Sequence, residues 1–245
     1  MVAQIEYCPD SFAIMNGPPV CDVIITDPPY EAHCQDNQMS GTTLAKVDLP
    51  FAPLAGYEWV PRLVNLAKRW SIVFCTVEDL GRFCDTVGGR RQPKGSGMWV
   101  RGGIWYKPNS MGQLTGDRPA ASYEGIAVMH PPGEKMRWNG RGGFAFWACN
   151  GTRGEKERHP NQKPLKLCLE LVNKFSEPGE TIFDPFAGSG RIGEACVMLG
   201  RNYIGLDNDP EWVDRARERI AAARLLDKPP ELHACRLDKE DIAYL

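Results

Sequence analysis

Two short clusters in this 245-residue sequence carry residue types suited to chemistry. The first is Asp27-Pro28-Pro29-Tyr30, which closes the β-prone run Val20 to Thr26. Its two prolines end sheet pairing and hold the chain extended, which fixes the directions of Asp27 and Tyr30. A carboxylate and an aromatic ring at the carboxyl end of a strand can grip a flat, amine-bearing ligand. The ring stacks, and Asp27 accepts a hydrogen bond from the amine. The second cluster, Asp184-Pro185-Phe186-Ala187-Gly188-Ser189-Gly190, lies more than 150 residues later. It follows the apolar run Thr181-Ile182-Phe183 and precedes an amphipathic run with Ile192, Ala195, Cys196 and Leu199 on one face. That pattern is a strand, a tight loop and a helix start. Glycines let a backbone pass close to a ligand, and a helix start offers unpaired amide hydrogens. The segment reads either as a cofactor loop in an α/β fold, with the cofactor unspecified, or as an ordinary glycine turn. Asp207, seventeen residues after Gly190, ends the next β run, Asn202 to Leu206. A carboxylate there could bind ribose hydroxyls.

The intervening elements must bring these clusters together. Apolar runs predict strands near Val2–Ile5, over 20–26, 70–76, 100–107, 124–130 and 144–149, then at Thr181-Ile182-Phe183 and 202–206. Helical spacing predicts helices over 54–69, 78–87, from Leu165, after Gly190 and from Pro210. Pro164 suits the first turn of the helix carrying Leu165, Cys168, Leu169 and Val172. Residues 31–53 are polar and unpatterned, the signature of a binding loop or lid. The tail, 231–245, has only a weak strand pattern.

Net charge is −2, so bulk charge does not point to nucleic acid. Its distribution is more informative: residues 88–160 hold twelve Lys/Arg against five Asp/Glu. A positive segment on an acidic scaffold could focus a polyanion, or it could be an unevenly charged solvated surface. Arg90, Arg91 and Lys94 sit in a glycine-rich loop able to follow phosphates. Arg137 and Arg141 stand beside Trp138 and Asn139, a mixture suited to phosphates, base edges and stacking. The nine cysteines have no CxxC pair and mostly apolar neighbours, which reads as reduced thiols in a cytosolic protein. Scattered histidines predict no metal site. No leader peptide and no long apolar span is evident.

Taken together, these motifs resemble the S-adenosylmethionine-dependent amino DNA methyltransferases. The loop at 184–190 looks like their cofactor loop, and Asp27–Tyr30 like their catalytic tetrapeptide. His159-Pro160-Asn161-Gln162-Lys163-Pro164 resembles the segment before their cofactor-side helix, and Gly205-Leu206-Asp207 their ribose-binding strand. The tetrapeptide precedes the cofactor loop, as in the permuted beta group, and the resemblance spans roughly residues 1–225. It implies an α/β Rossmann-like methyltransferase fold, with a mostly parallel seven-stranded sheet and one reversed strand. In that scheme 1–108 and 161–230 form one α/β domain, and 109–160, with Arg118, Arg137 and Arg141, is the target-recognition region. Asp184, Phe186, Ala187, Gly188 and Gly190 would line the methionine part of the cofactor, Asp207 the ribose, Asp10 the adenine ring, and Lys163 the methionine end. Asp27 and the Pro28 carbonyl would accept the hydrogens of a flipped base's amine, with Pro29 holding the turn and Tyr30 stacking on the base. An aspartate at position 27 favours adenine N6 over cytosine N4. Double-stranded DNA, a homodimer and a separate cognate nuclease are the partners so implied. Competing readings are an RNA or protein-amide methyltransferase, a nicotinamide-dependent dehydrogenase, and a DNA-binding module with a vestigial site.

Overall fold

The computed structural model describes residues 1–10, 20–29, 56–89, 98–112, 114–152 and 162–227. Among them, eight strands form one sheet: β1 (Ala3–Tyr7), β2 (Val23–Thr26), β3 (Ser71–Cys75), β4 (Trp99–Tyr106), β5 (Tyr123–Met129), β6 (Phe146–Ala148), β7 (Thr181–Asp184) and β8 (Asn202–Asp207). Their spatial order is β1-β8-β7-β2-β3-β5-β4-β6. Seven strands run parallel, and β5 alone is reversed, pairing antiparallel with both β3 and β4. The single reversed strand agrees with the expectation. The expected count of seven does not, because Phe146-Trp147-Ala148 adds an eighth strand, parallel to β4, at the edge. The described part of 109–160 is therefore built into the sheet, through β5 and β6.

Both faces are covered. Helices α1 (Val60–Asn65) and α2 (Leu80–Thr86) bury Leu63, Val64 and Phe83 against Ile24, Val73, Ala127 and Phe183. On the other face lie α3 (Leu165–Phe175), α4 (Arg191–Met198) and α5 (Pro210–Ala222). They pack Leu167, Leu171, Ile192 and Val213 on Val23, Ile25, Phe74 and Ile182. Alternate residues of one strand thus serve opposite layers, so the central strands read as continuous apolar runs. Pro164 caps α3 from an extended conformation, just before the first turn. Asp209 caps α5 by accepting the Glu211 amide at 2.9 Å.

Trp147 fixes the new edge. It is 1% exposed and tilts over Phe175 of α3 at 6.4 Å between ring centroids. Gly103 of β4 leaves it room, since a Cβ there would lie 2.7 Å from the indole. Trp147→Ala should cost about 3–5 kcal/mol of stability. Urea titration checks this, and a loss below about 1 kcal/mol would mean β6 is not held by this packing.

The tips of β2 and β7 are joined by a buried hydrogen bond, Thr26 Oγ1 to Asp184 Oδ1 at 2.7 Å. Burial pushes the Asp184 carboxyl up to about 7, against lowering by Thr26 and the Phe186 amide. Its folded value is thus above the unfolded value of about 3.9. The stabilisation is complete below that unfolded value and is lost as pH rises through about 7. Asp184→Asn removes this dependence. From about pH 4 to about pH 8 the stability difference should shift in the variant's favour by on the order of 1–3 kcal/mol. Urea titrations at both pH values measure the shift, and a difference independent of pH would contradict it.

Candidate active site

From β7 the chain moves to β8 on one side, and from β2 it moves to β3 on the other. The boundary between β7 and β2 is therefore a topological switch point, where crossovers leave a crevice beyond the carboxyl ends of the strands. A cleft opens there, lined by Asp27, Lys163, Asp184, Phe186, Gly188 and Arg191 among others. Residues read from separate ends of the sequence thus share one site. Tyr30 lies outside the described residues, as do loop 31–53, residues 159–161, Arg90, Arg91 and Lys94, and the tail.

The glycine loop is drawn tightly over the strand tips. Gly188 and Gly190 have positive φ, 47° and 75°. A Cβ on Gly190 would lie 2.7 Å from the Ala216 Cβ, so α4 starts against α5 with no space for a side chain. The Gly188 amide donates to Asp207 Oδ2 at 2.7 Å, and the Asp209 amide to Asp207 Oδ1 at 3.0 Å. Burial raises the Asp207 carboxyl above its ordinary value, with those amides pulling it back. Each carboxylate oxygen can accept a further bond, so the two oxygens remain competent to receive a pair of hydroxyls. Arg219 donates to the Ser189 carbonyl and closes the loop from the α5 side. Asp10 is exposed three residues beyond β1, at the same sheet end, on the strand next to β8.

Lys163 lines the cleft beside Asp184 and Gly188, and it also has acidic partners there. Its ammonium meets Asp27 Oδ2 at 2.6 Å and Glu124 Oε2 at 3.1 Å, and it stands 4.9 Å from the centre of the Phe74 ring. Lys107, at the end of β4, pairs with the other oxygen of Glu124. Burial alone would discharge Lys163, but Asp27 and Glu124 outweigh it and hold the ammonium above its ordinary value. Burial likewise raises the Glu124 carboxyl, and Lys163 and Lys107 outweigh that, leaving it at about 2. Lys107, Glu124, Lys163 and Asp27 therefore form a run of alternating charges whose inner members, Lys163 and Asp27, line the cleft. The sequence reading missed Glu124 and Lys107, and it missed Thr26 and Tyr203, whose hydroxyls face Asp184 at 2.7 and 3.4 Å. The available signal was an acid at the start of an apolar strand, with a lysine ending the strand before it.

The basic segment divides between the two ends of the sheet. Arg118, exposed and paired with Asp117, belongs to the β4–β5 connection at the Asp27 end. Arg137 and Arg141 follow β5 and lie at the opposite end of the sheet from Asp27. Reversed β5 carries the chain about 20 Å to the opposite side. There the Arg137 carbonyl accepts Arg69 Nη2 at 2.7 Å and Trp70 Nε1 at 2.6 Å, just before β3. The Asn139 amide donates to Lys174 O at 2.9 Å, near the end of α3. Parallel β6 then brings the chain back towards Gln162 and Lys163. Among the described residues, no group of three or more His, Cys, Asp or Glu is arranged to hold a metal. Among them, too, no helix is long and apolar enough to cross a membrane.

The fold recurs in known proteins. M1.HpyAVI, solved as a complex with SAM, superimposes with a TM-score of 0.66 at 22% identity, over 90% of this chain and 99% of that one. The PvuII cytosine-N4-specific DNA methyltransferase superimposes with a TM-score of 0.64 at 14% identity, over 89% of this chain and 87% of that one. At such identities the likeness is one of fold. The Type II methyltransferases M.XycI of Xanthomonas campestris pv. cyanopsidis and M.Cfr9I of Citrobacter freundii are each 32% identical over 137 residues. Those alignments span 51% of this chain and 45% of each relative, so less than half of the relatives' length is matched. The N6/N4 methyltransferase family, described as DNA methylase, matches residues 21–218. By fold, motif order and that match, the chain belongs to the N6/N4 DNA methylase family.

Proposed function

We propose that this chain transfers a methyl group from S-adenosylmethionine to the exocyclic amine of a base in double-stranded DNA. The observation that carries the reading is Asp27 facing the Asp184–Gly190 loop across one cleft at the switch point. The residues present suit the cofactor: a loop drawn over the strand tips by glycines of positive φ at 188 and 190, the Asp184 and Asp207 carboxylates ending those strands, and amides at the start of α4. S-adenosylmethionine, when bound, supplies a methyl group activated by its sulfonium.

The protein's own part is to hold and aim. Asp207 accepts the ribose hydroxyls, and Asp184, Phe186, Ala187, Gly188 and Gly190 flank the methionine portion, with Asp10 towards the adenine ring. A base inside a duplex is out of reach, so it must be flipped into the cleft. Its amine is a weak nucleophile because its lone pair conjugates with the ring. Asp27 and the Pro28 carbonyl accept the two amine hydrogens and favour a more tetrahedral nitrogen, while Pro29 keeps the turn rigid and Tyr30 stacks on the base. So held, the lone pair would be aimed at the methyl group that the cofactor would supply. The nitrogen, cationic once methylated, releases a proton to the Asp27 carboxylate. A carboxylate is too weak a base to take that proton from the neutral amine beforehand. Positioning and electrostatics carry the rate.

The same geometry serves cytosine N4 and adenine N6. Cytosine N4 has the support of the PvuII enzyme, a solved structure of this fold whose description names its acceptor. Asp27 itself supports adenine. Phosphate contacts fall to Arg118 at the catalytic end and to Arg90, Arg91 and Lys94. A homodimer would supply recognition surface beyond this small chain, and a separate nuclease would accompany it in a restriction–modification pair.

Incubation with labelled S-adenosylmethionine and unmethylated genomic DNA, followed by nucleoside analysis, should give N4-methylcytosine or N6-methyladenine and no methylated protein. Label in RNA or protein, with DNA left bare, would overturn the reading. Asp27→Ala should lower transfer by about 10²–10³-fold, with cofactor affinity unchanged. Wild-type rates in that variant would remove Asp27 from the chemistry.

A further inference from the structure

The run of alternating charges reaches Asp27 through Lys163. The Lys163 ammonium, 2.6 Å from Asp27 Oδ2, fills a hydrogen-bonding position on the carboxylate that an incoming amine needs. We propose that Glu124 is a positioning residue, which receives the Lys163 ammonium when the target amine displaces it from Asp27. This rests on the role of Asp27 proposed above.

Three features carry the inference. First, Lys163 is buried, its side chain 6% exposed, so its charge cannot be left without a partner when Asp27 turns to a new donor. Second, Glu124 Oε2 is already 3.1 Å away, within the sweep of the flexible lysine stem. The Phe74 ring, 4.9 Å from Nζ, gives the ammonium an aromatic face beside that path. Third, Lys107 holds the other oxygen of Glu124. Glu124 thus stays ionised and fixed in place, and its second oxygen is directed at Lys163. The exchange moves an ammonium by about an ångström and transfers no proton. Its effect is to let Asp27 change from a salt bridge to an amine hydrogen bond without stranding a buried charge.

Single-turnover transfer from labelled S-adenosylmethionine to unmethylated genomic DNA tests this, with each full-length variant saturated in both. Glu124→Gln keeps the shape and removes the charge. Its transfer rate constant should fall tenfold or more, while cofactor and DNA dissociation constants stay close to wild type. Glu124→Asp should recover part of the rate. Lys107→Met leaves Glu124 able to receive Lys163, so its loss should be at least threefold smaller than that of Glu124→Gln. A merely structural Lys107–Glu124 pair would instead give equal losses of rate in both, and that result would overturn the proposal. So would a Glu124→Gln rate within twofold of wild type. Should Glu124→Gln not fold, Glu124→Asp replaces it: a slower rate than Lys107→Met supports the proposal, and the reverse order sinks it. Asp27→Ala runs beside these. Its full activity would remove the Asp27 reading as well, whereas an inactive Asp27→Ala with a normal Glu124→Gln removes only the role of Glu124.

Discussion

Thr26 donates its hydroxyl hydrogen to Asp184 at the boundary where neighbouring parallel strands send the chain in opposite directions. That 2.7 Å contact closes the tips of two strands whose backbones already pair. Thr26 is the residue before Asp27, and Asp184 is the first residue of the glycine loop, so one bond joins the two halves of the site. Both residues are fully buried, so water cannot take over from either partner. Segments more than 150 residues apart in sequence are thereby registered side by side.

Much of this arrangement was legible before any fold was known. Ile72-Val73-Phe74 and Val23-Ile24-Ile25 read as buried strands because a sheet covered on both faces tolerates no polar alternation. The glycine loop, its following helix and the acids ending β7 and β8 were equally plain, since tight turns and helix starts demand particular residues locally. Strand direction was not plain. Ile126-Ala127-Val128-Met129 has the composition of a buried strand of either sense, so nothing local announced that β5 is reversed. Arg137 and Arg141 follow from that one ambiguity: a reversed strand delivers them to the opposite end of the sheet, where Arg69 and Trp70 hold the backbone. Phe146-Trp147-Ala148 was readable as a strand, but its place as an eighth member of the sheet depends on Gly103 giving way to Trp147.

The charged quartet was hidden for a related reason. Glu124 looks like the solvated start of a strand, and Lys107 like its solvated neighbour's end. Only antiparallel pairing of β4 with β5 sets those ends together, and only the return along β6 adds Lys163. Long-range pairing of this kind leaves no periodic trace. Lys163 was recognised as belonging to the site, but its pairing there with Asp27 was not.

Two lysines and two carboxylates cancel. The quartet is consequently neutral in formal charge. An uncharged nucleobase can approach such a quartet without meeting a net charge from it, whereas a phosphodiester gains nothing from it by following the base inward. On the proposed function, attraction for the nucleic-acid backbone would fall to the rim, where Arg118 is exposed. The site would then separate its work by depth, the outside sorting by charge and the inside by the direction of hydrogen bonds.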